Sequence, residues 1–371
     1  MYSWGNGIYG QLGIGNETNS HPVPKKIEEF DRIKTKIKKL IAAFDSSASI
    51  NEDGKVYVWG KTKDGALGIF PGGSLNIKSP TLFHHISQLD SKIIDFDLSK
   101  EHGGLVTSNG TIYTWGVDMY NKLGHVNSEA PLYNVRARKI PKAGYELVKF
   151  GQISLPGNKK AKSIRCGYNH TICLTTDGVV YTWGYGKDGS LGHGTTENCE
   201  IPKEVDYFKN NNIKIDQIEC GDYFTLALTD DGKLYAWGQN NFGQLGIGQV
   251  TQQLKVNLPI QIHFGNEIVK EIYAGEDNCA CVTSEGEGYI WGYGIDGRLG
   301  NGNKTNVNIP SKIILEGEKI KKISCGGHHT AILTQNGSLY MCGNGRDGEL
   351  GRGDLLESHS VIRDQPLLVI N

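Results

Sequence analysis

Ser163-Ile-Arg-Cys-Gly-Tyr-Asn-His-Thr-Ile-Cys-Leu-Thr-Thr-Asp-Gly-Val-Val-Tyr-Thr-Trp-Gly184, followed by Leu191-Gly192, is the stretch that decides the fold. Residues 171–175 and 179–183 are short β-rich runs, and Asp177-Gly178 between them tolerates the positive φ angles of a tight hairpin turn. The stretch recurs at 217–238, 271–292 and 322–343, and more loosely at 41–60 and 95–116. Asp53-Gly54, Asn109-Gly110, Asp231-Gly232, Glu285-Gly286 and Asn336-Gly337 hold the equivalent turn. A further β-like run, often opened by a proline such as Pro202 or Pro310, follows each Leu-Gly pair. Each unit therefore reads as about four antiparallel strands.

The Trp-Gly to Leu-Gly phrase occurs seven times, with anchors Trp4, Trp59, Trp115, Trp183, Trp237, Trp291 and Cys342, and the Leu lies eight residues after each anchor. The steps between anchors are 55, 56, 68, 54, 54 and 51 residues. A period of roughly 50 residues marks a propeller or solenoid. A lone four-stranded sheet of this size leaves both faces uncovered, whereas radial stacking buries the faces and ring closure protects the edges. The expectation is an all-β, seven-bladed propeller forming one domain over residues 1–371, with the six tryptophans as structural wedges between blades. The first unit holds only the strand at 2–4 and its loop, so the N- and C-terminal strands are expected to share the closing blade, with 367–370 pairing beside 2–4.

These residues resemble the regulator of chromosome condensation family. Cys166-Gly167-Tyr168-Asn169-His170-Thr171 and Cys325-Gly326-Gly327-His328-His329-Thr330 match the opening phrase of its repeat, and Gly10-Gln11-Leu12-Gly13 and Gly243-Gln244-Leu245-Gly246 match the close. The resemblance covers essentially the full length and implies the same seven-bladed propeller.

Composition narrows the function. A net charge of −1 and a pI near 6.8 provide no long-range field for nucleic acid or anionic lipid. No apolar run reaches the length of a membrane span. Met1 is followed almost at once by repeat material, so a cytoplasmic rather than secreted location is expected. Among the eight cysteines, Cys166, Cys220 and Cys325 share one repeat position that Ala274 fills elsewhere. Cys279 and Cys281 lack zinc spacing, so reduced structural thiols are expected and no metal or cofactor is implied. No nucleophile elbow or His-Glu-x-x-His motif is present, and an enzyme is not expected.

Candidate binding residues fall in two places. The segment before each hairpin carries Asp45, Glu101, His102, His170, Asp222, Asp277, His328 and His329 at comparable repeat positions. These either form a recognition surface on one face or brace their own loops. The long step holds an insertion at about 126–162, with Tyr133, Arg136, Arg138, Lys139 and Tyr145, a composition suited to protein contact. The insertion is expected to be dispensable for folding, since the other intervals manage without it.

The family resemblance implies several roles. Its founding member exchanges nucleotide on the small GTPase Ran through a wedge inserted between a Trp-Gly and its Leu-Gly partner. All seven of those loops are equally long here, and no basic tail precedes the repeats. The ultraviolet-B photoreceptor of the family needs extra tryptophans on one face, and all six here are taken by the Trp-Gly phrase. Ligase members carry a separate catalytic domain. What remains resembles the scaffold members, such as the propeller of the retinitis pigmentosa GTPase regulator. The expectation is a non-enzymatic interaction propeller, a structural or adaptor subunit of a ciliary or cytoskeletal assembly with unidentified protein partners. The alternative is an exchange factor or regulator for a Ran-like small GTPase.

Overall fold

The computed structural model describes the chain apart from residues 17–18, 64, 70–75, 87–88, 90, 126–132, 141–143, 249–253, 356–357 and 364–371. Residues 133–140, 144–149 and 358–363 are described by their backbone. The architecture is an all-β propeller, with helix confined to short pieces such as Glu29–Arg32 and Asp206–Asn210. Among the described residues no helix is long and apolar enough to cross a membrane.

The chain divides into two compact units. The first comprises Met1–Ser20, Lys25–Gly186 and Glu197–Val205. It contains blade I (Ile37–Ala43, Ser46–Asn51, Val56–Gly60, Ile77–Leu82), blade II (Ile93–Leu98, His102–Thr107, Ile112–Val117, Gly144–Ile153, Tyr133–Ile140) and blade III (Ala161–Cys166, His170–Thr175, Val180–Gly184, Cys199–Glu204). The second comprises His21–Pro24, Lys187–Thr196 and Asp206–Asn371. Its blades are IV (Ile215–Cys220, Phe224–Thr229, Leu234–Gln239, Lys255–Ile262), V (Val269–Ala274, Asn278–Thr283, Gly288–Gly292, Val307–Lys312) and VI (Ile320–Cys325, His329–Thr334, Leu339–Gly343, Ser358–Arg363).

The expected seven complete blades are corrected to six. Among the described residues, Tyr2–Gly5 and His21–Lys26 form a two-stranded sheet rather than a seventh four-stranded blade. The physical reason is that Tyr2–Gly5 and His21–Lys26 correspond to the third and outer strands of the repeat, and no further described strand pairs with them. The pairing expected for 367–370 lies outside the described residues.

Within each blade the second strand is the most buried. In blades I to V every residue of this strand is buried. Small and β-branched residues fill it, as in Asn278-Cys-Ala-Cys-Val-Thr283. The first strands mix buried and exposed positions, as in Ile320–Cys325, where Ile320 and Ile323 are the buried residues.

The tryptophans are wedges, as expected. Trp59, Trp115, Trp183, Trp237 and Trp291 are almost fully buried, whereas Trp4 is half-buried. The Leu-Gly loop of one unit lies across the indole of the next. Gly192 stands where a Cβ would lie 2.8 Å from Trp237 Nε1, so only glycine permits this approach. The glycine after each Trp has its own reason. At Gly238, φ is +111° and a Cβ would lie 2.5 Å from the carbonyl oxygen of Tyr223. The repeat pattern did not expose the phenylalanine that caps each of four indoles edge-on: Phe30 on Trp59, Phe83 on Trp115, Phe208 on Trp237 and Phe264 on Trp291. Each Phe lies just beyond an outer strand, in the link to the next blade.

The insertion is not a loop. Tyr133–Ile140 and Gly144–Ile153 form an antiparallel hairpin, with Val148 to Ile153 paired onto Val117 to Ile112 of the third strand. Its second half is therefore the outer strand of blade II, and Phe150 is buried against Trp115 and Tyr113. The expectation that the whole insertion is dispensable is corrected accordingly. Only Tyr133–Ile140 is extra, as a fifth strand.

Candidate protein-binding turns

Six turns join the first and second strands of blades I to VI. In five of them the residue before the turn donates to the carbonyl of the residue after it: Ser99 to His102, Gly167 to His170, Gly221 to Phe224, Gly275 to Asn278 and Gly326 to His329. In blade I the ladder pair Ala43 and Ser46 closes the same turn. The second turn residue then accepts from the amide that follows the Trp-Gly or Cys-Gly pair. Lys61 donates to Asp45, Val117 to Glu101, Tyr185 to Asn169, Gln239 to Tyr223, Tyr293 to Asp277 and Asn344 to His328, all at 2.9 Å. The carbonyl of the second turn residue is thus satisfied in the same way in all six turns.

His102, His170 and His329 are core residues rather than surface ones. They open their second strands at the position filled elsewhere by Ser46, Phe224 and Asn278, and His329 is half-buried. His102 and His170 are buried. His102 Nδ1 lies 2.7 Å from Ser99 Oγ and its Nε2 3.0 Å from Thr171 Oγ1, bracing blade II against blade III. Desolvation pushes both His170 and His329 down to about 4, the latter with help from His328 and Arg298, so both rings are neutral at physiological pH. For His102 the ring thus bridges its own turn and the next blade.

Asp45, Glu101, Asp222, Asp277 and His328 occupy the turns themselves. Lys61 Nζ lies 3.1 Å from Asp45 and also covers the Tyr9 ring. Lys122 Nζ lies 3.2 Å from Glu101 and 3.2 Å from Asn169 Oδ1. Asp222 donates its amide to the carbonyl of Glu276. Gln244 donates to Asp277 at 3.3 Å. Burial, then the adjacent Glu276, push the Asp277 carboxyl up to about 6 against the opposing pull of Arg298. His328 Nδ1 lies 2.9 Å from Arg298 Nη2, and Asp296 lies beside both.

Lys122, Gln244 and Arg298 escaped the sequence reading. All three stand immediately before the Leu of a Leu-Gly pair, and the side chains of Lys122 and Arg298 are almost wholly buried beneath the turns. Arg298 also donates to the carbonyl of Gly327 and covers the Tyr293 ring. For Lys122 and Arg298 the available signal was a cation at a repeat position that holds Gln11, Ala66, Ser190, Gln244 and Glu349 in the other units.

The insertion candidates lie elsewhere. Tyr133 pairs with Phe150, Arg136 with Leu147, Arg138 with Glu146 and Lys139 with Tyr145, across a bulge between Arg136 and Arg138. Tyr133–Ile140 is the edge of blade II farthest from Ile93–Leu98, whose turn carries Glu101. The two candidate sets therefore do not form one site. All eight cysteines are free, and burial pushes the thiols of Cys166, Cys279 and Cys281 well up, which keeps them protonated and inert.

Comparison with known proteins decides the family, because the RCC1-like domain matches residues 1–369. The chain belongs to the RCC1-like domain family. The E3 ubiquitin-protein ligase HERC2 of Mus musculus is 31% identical over 337 residues, covering 90% of this chain but 6% of that protein. The ultraviolet-B receptor UVR8 of Arabidopsis thaliana is 33% identical over 332 residues, covering 89% of this chain and 68% of the receptor. The crystal structure of Prp20p from Saccharomyces cerevisiae, described with its binding to Gsp1p and histones, superposes with a TM-score of 0.80. At 21% identity over 99% of this chain and 86% of that one, it shows a shared fold. Within this RCC1-like chain the turn side chains differ from blade to blade.

Proposed function

We propose that this RCC1-like chain is a non-enzymatic protein-interaction propeller, a structural or adaptor subunit of a larger assembly that docks through the turns before the second strands. One observation carries the reading. The six turns share the same backbone hydrogen bond, yet their second residues are Asp45, Glu101, Asn169, Tyr223, Asp277 and His328. Variation of side chains on an invariant frame is the pattern of a recognition surface. Resemblance to the scaffold members supports an assembly in the cytoplasm, at a cilium or the cytoskeleton. The test is affinity purification of the full chain from its native organism, beside a variant carrying Asp45→Ala, Glu101→Ala, Asp277→Ala and His328→Ala. Loss of specific co-purifying proteins from the variant is expected. An unchanged partner set would sink the docking surface, and no partner at all would sink the interaction reading.

A second reading is exchange on a Ran-like GTPase, favoured by the fold shared with Prp20p, whose described binding includes Gsp1p. Catalytic amounts of the protein are expected to leave release of a fluorescent nucleotide from Ran unchanged. Acceleration of about a hundredfold, near 3 kcal/mol of barrier, would establish exchange and overturn the scaffold reading.

A further inference from the structure

Three side chains from successive turns of blades I, II and III meet at one place. Phe44, Lys100 and Tyr168 hold the same repeat position, the first residue of each turn. The rings of Phe44 and Tyr168 stand edge to face at 6.3 Å. Lys100 Nζ lies 5.9 Å from the Phe44 ring centroid, 5.3 Å from that of Tyr168 and 3.4 Å from the Tyr168 hydroxyl. The corresponding residues of blades IV to VI are Asp222, Glu276 and Gly327, so the aromatic and cationic chemistry belongs to this unit alone.

Two observations mark this cluster as more than packing. Phe44 has φ of +49°, a left-handed conformation disfavoured for a bulky side chain, in a turn where glycine or asparagine would sit without strain. None of the other five turn residues at this position shares that conformation. Yet the ring is 44% exposed, so burial does not compensate for the strain. Secondly, Lys100 is met by two rings and a phenol and by no carboxylate among the described residues. The nearby acids are already taken, Asp45 by Lys61 and Glu101 by Lys122. An ammonium held over aromatic faces keeps its full charge for an incoming anion.

We propose that Phe44, Lys100 and Tyr168 form a docking site for an extended peptide segment in which a carboxylate side chain is flanked by an aromatic or aliphatic residue. The carboxylate pairs with Lys100, and the apolar neighbour covers the exposed face of Phe44. Interfaces draw most of their energy from such aromatic and cationic anchors. The inference rests on the interaction reading above and assigns one partner chemistry to one part of the docking surface.

The test is selection of random heptapeptides displayed on phage against the full chain, followed by titration of the enriched synthetic peptides. Enrichment of Asp or Glu adjacent to Phe, Tyr, Trp, Leu or Ile is expected. Phe44→Gly suits the left-handed turn, so it should keep or raise the melting temperature while weakening binding by at least about tenfold. Lys100→Gln should weaken binding similarly and remove the preference for acidic peptides. Enrichment of basic or uncharged peptides, or affinity unchanged in both variants, would overturn the proposal. So would failure to enrich any peptide while native partners still co-purify, an outcome that leaves the broader interaction reading standing.

Discussion

The indole Nε1–H of Trp237 donates to the carbonyl oxygen of Ser190 at 2.8 Å, joining two residues 47 positions apart in the chain. Trp59 donates to Gln11, Trp115 to Ala66 and Trp291 to Gln244 in the same way. Each bond ties a Leu-Gly loop to the sheet that follows it. The eight-residue spacing within the repeat is thus the length of chain needed to reach the neighbouring wedge.

Removal of such a wedge should be severe. Trp237→Ala deletes a fully buried ring packed edge-on by Phe208 and should destabilise the protein by about 3–5 kcal/mol in urea denaturation. Trp4→Ala, at a half-buried position, should have a clearly smaller effect. Equal effects at the two sites would contradict the wedge assignment.

Acid should weaken the fold through its buried histidines. His170 and His329 fall from an ordinary 6.5 to about 4 in the folded chain, and His102 lies well below 6.5 for the same reason, burial. Below 6.5 the unfolded chain therefore binds protons that the folded chain refuses, and stability drops with falling pH. Each such histidine contributes a slope of about 1.4 kcal/mol per pH unit. Asp277 acts oppositely below about 6, since its raised carboxyl takes up a proton more readily when folded, but it offsets one histidine only. Melting temperature is expected to decline from pH 7 to pH 5, and His170→Gln should flatten that decline.

Two glycines with positive φ should respond differently to alanine. Gly265 has φ of +63° and no atom within 4 Å of the point an added methyl would occupy, so strain alone acts, about 1–2 kcal/mol. Gly238→Ala must in addition move the backbone at Tyr223 and Phe224, which would lie 2.5 and 2.6 Å from the new methyl. Thermal melts should show the second substitution to be much the more damaging.

The insertion should divide into a removable and an essential part. Replacing 133–145 with a short Gly-Ser link, which retains the strand that pairs with Ile112–Val117, should leave the melting temperature within a few degrees. Phe150→Ala removes a buried ring stacked on Trp115 and should destabilise by about 3–5 kcal/mol. A shortened chain that fails to fold would show that the fifth strand is structural.

The repeat architecture, the four-strand unit and the wedge role of the tryptophans were legible because they rest on local rules. Asp-Gly turns, strand alternation and a period near 50 residues are properties of contiguous sequence. The histidines were ambiguous for the opposite reason. Whether His102 faces solvent or Thr171 depends on a neighbouring strand 69 residues away in the chain. The strand role of 144–153 was not legible in sequence because its pairing partner, Ile112–Val117, lies outside the insertion, in the strand that precedes it in the same blade. That Tyr2–Gly5 pairs with His21–Lys26 and with no further described strand was likewise undecidable locally, since it depends on pairing across the fold. Only packing brought Phe44, Lys100 and Tyr168 together, from turns whose sequences differ at every side chain. Local chain chemistry determined which strands and turns form; long-range packing decided which side chains are buried and which meet at the surface.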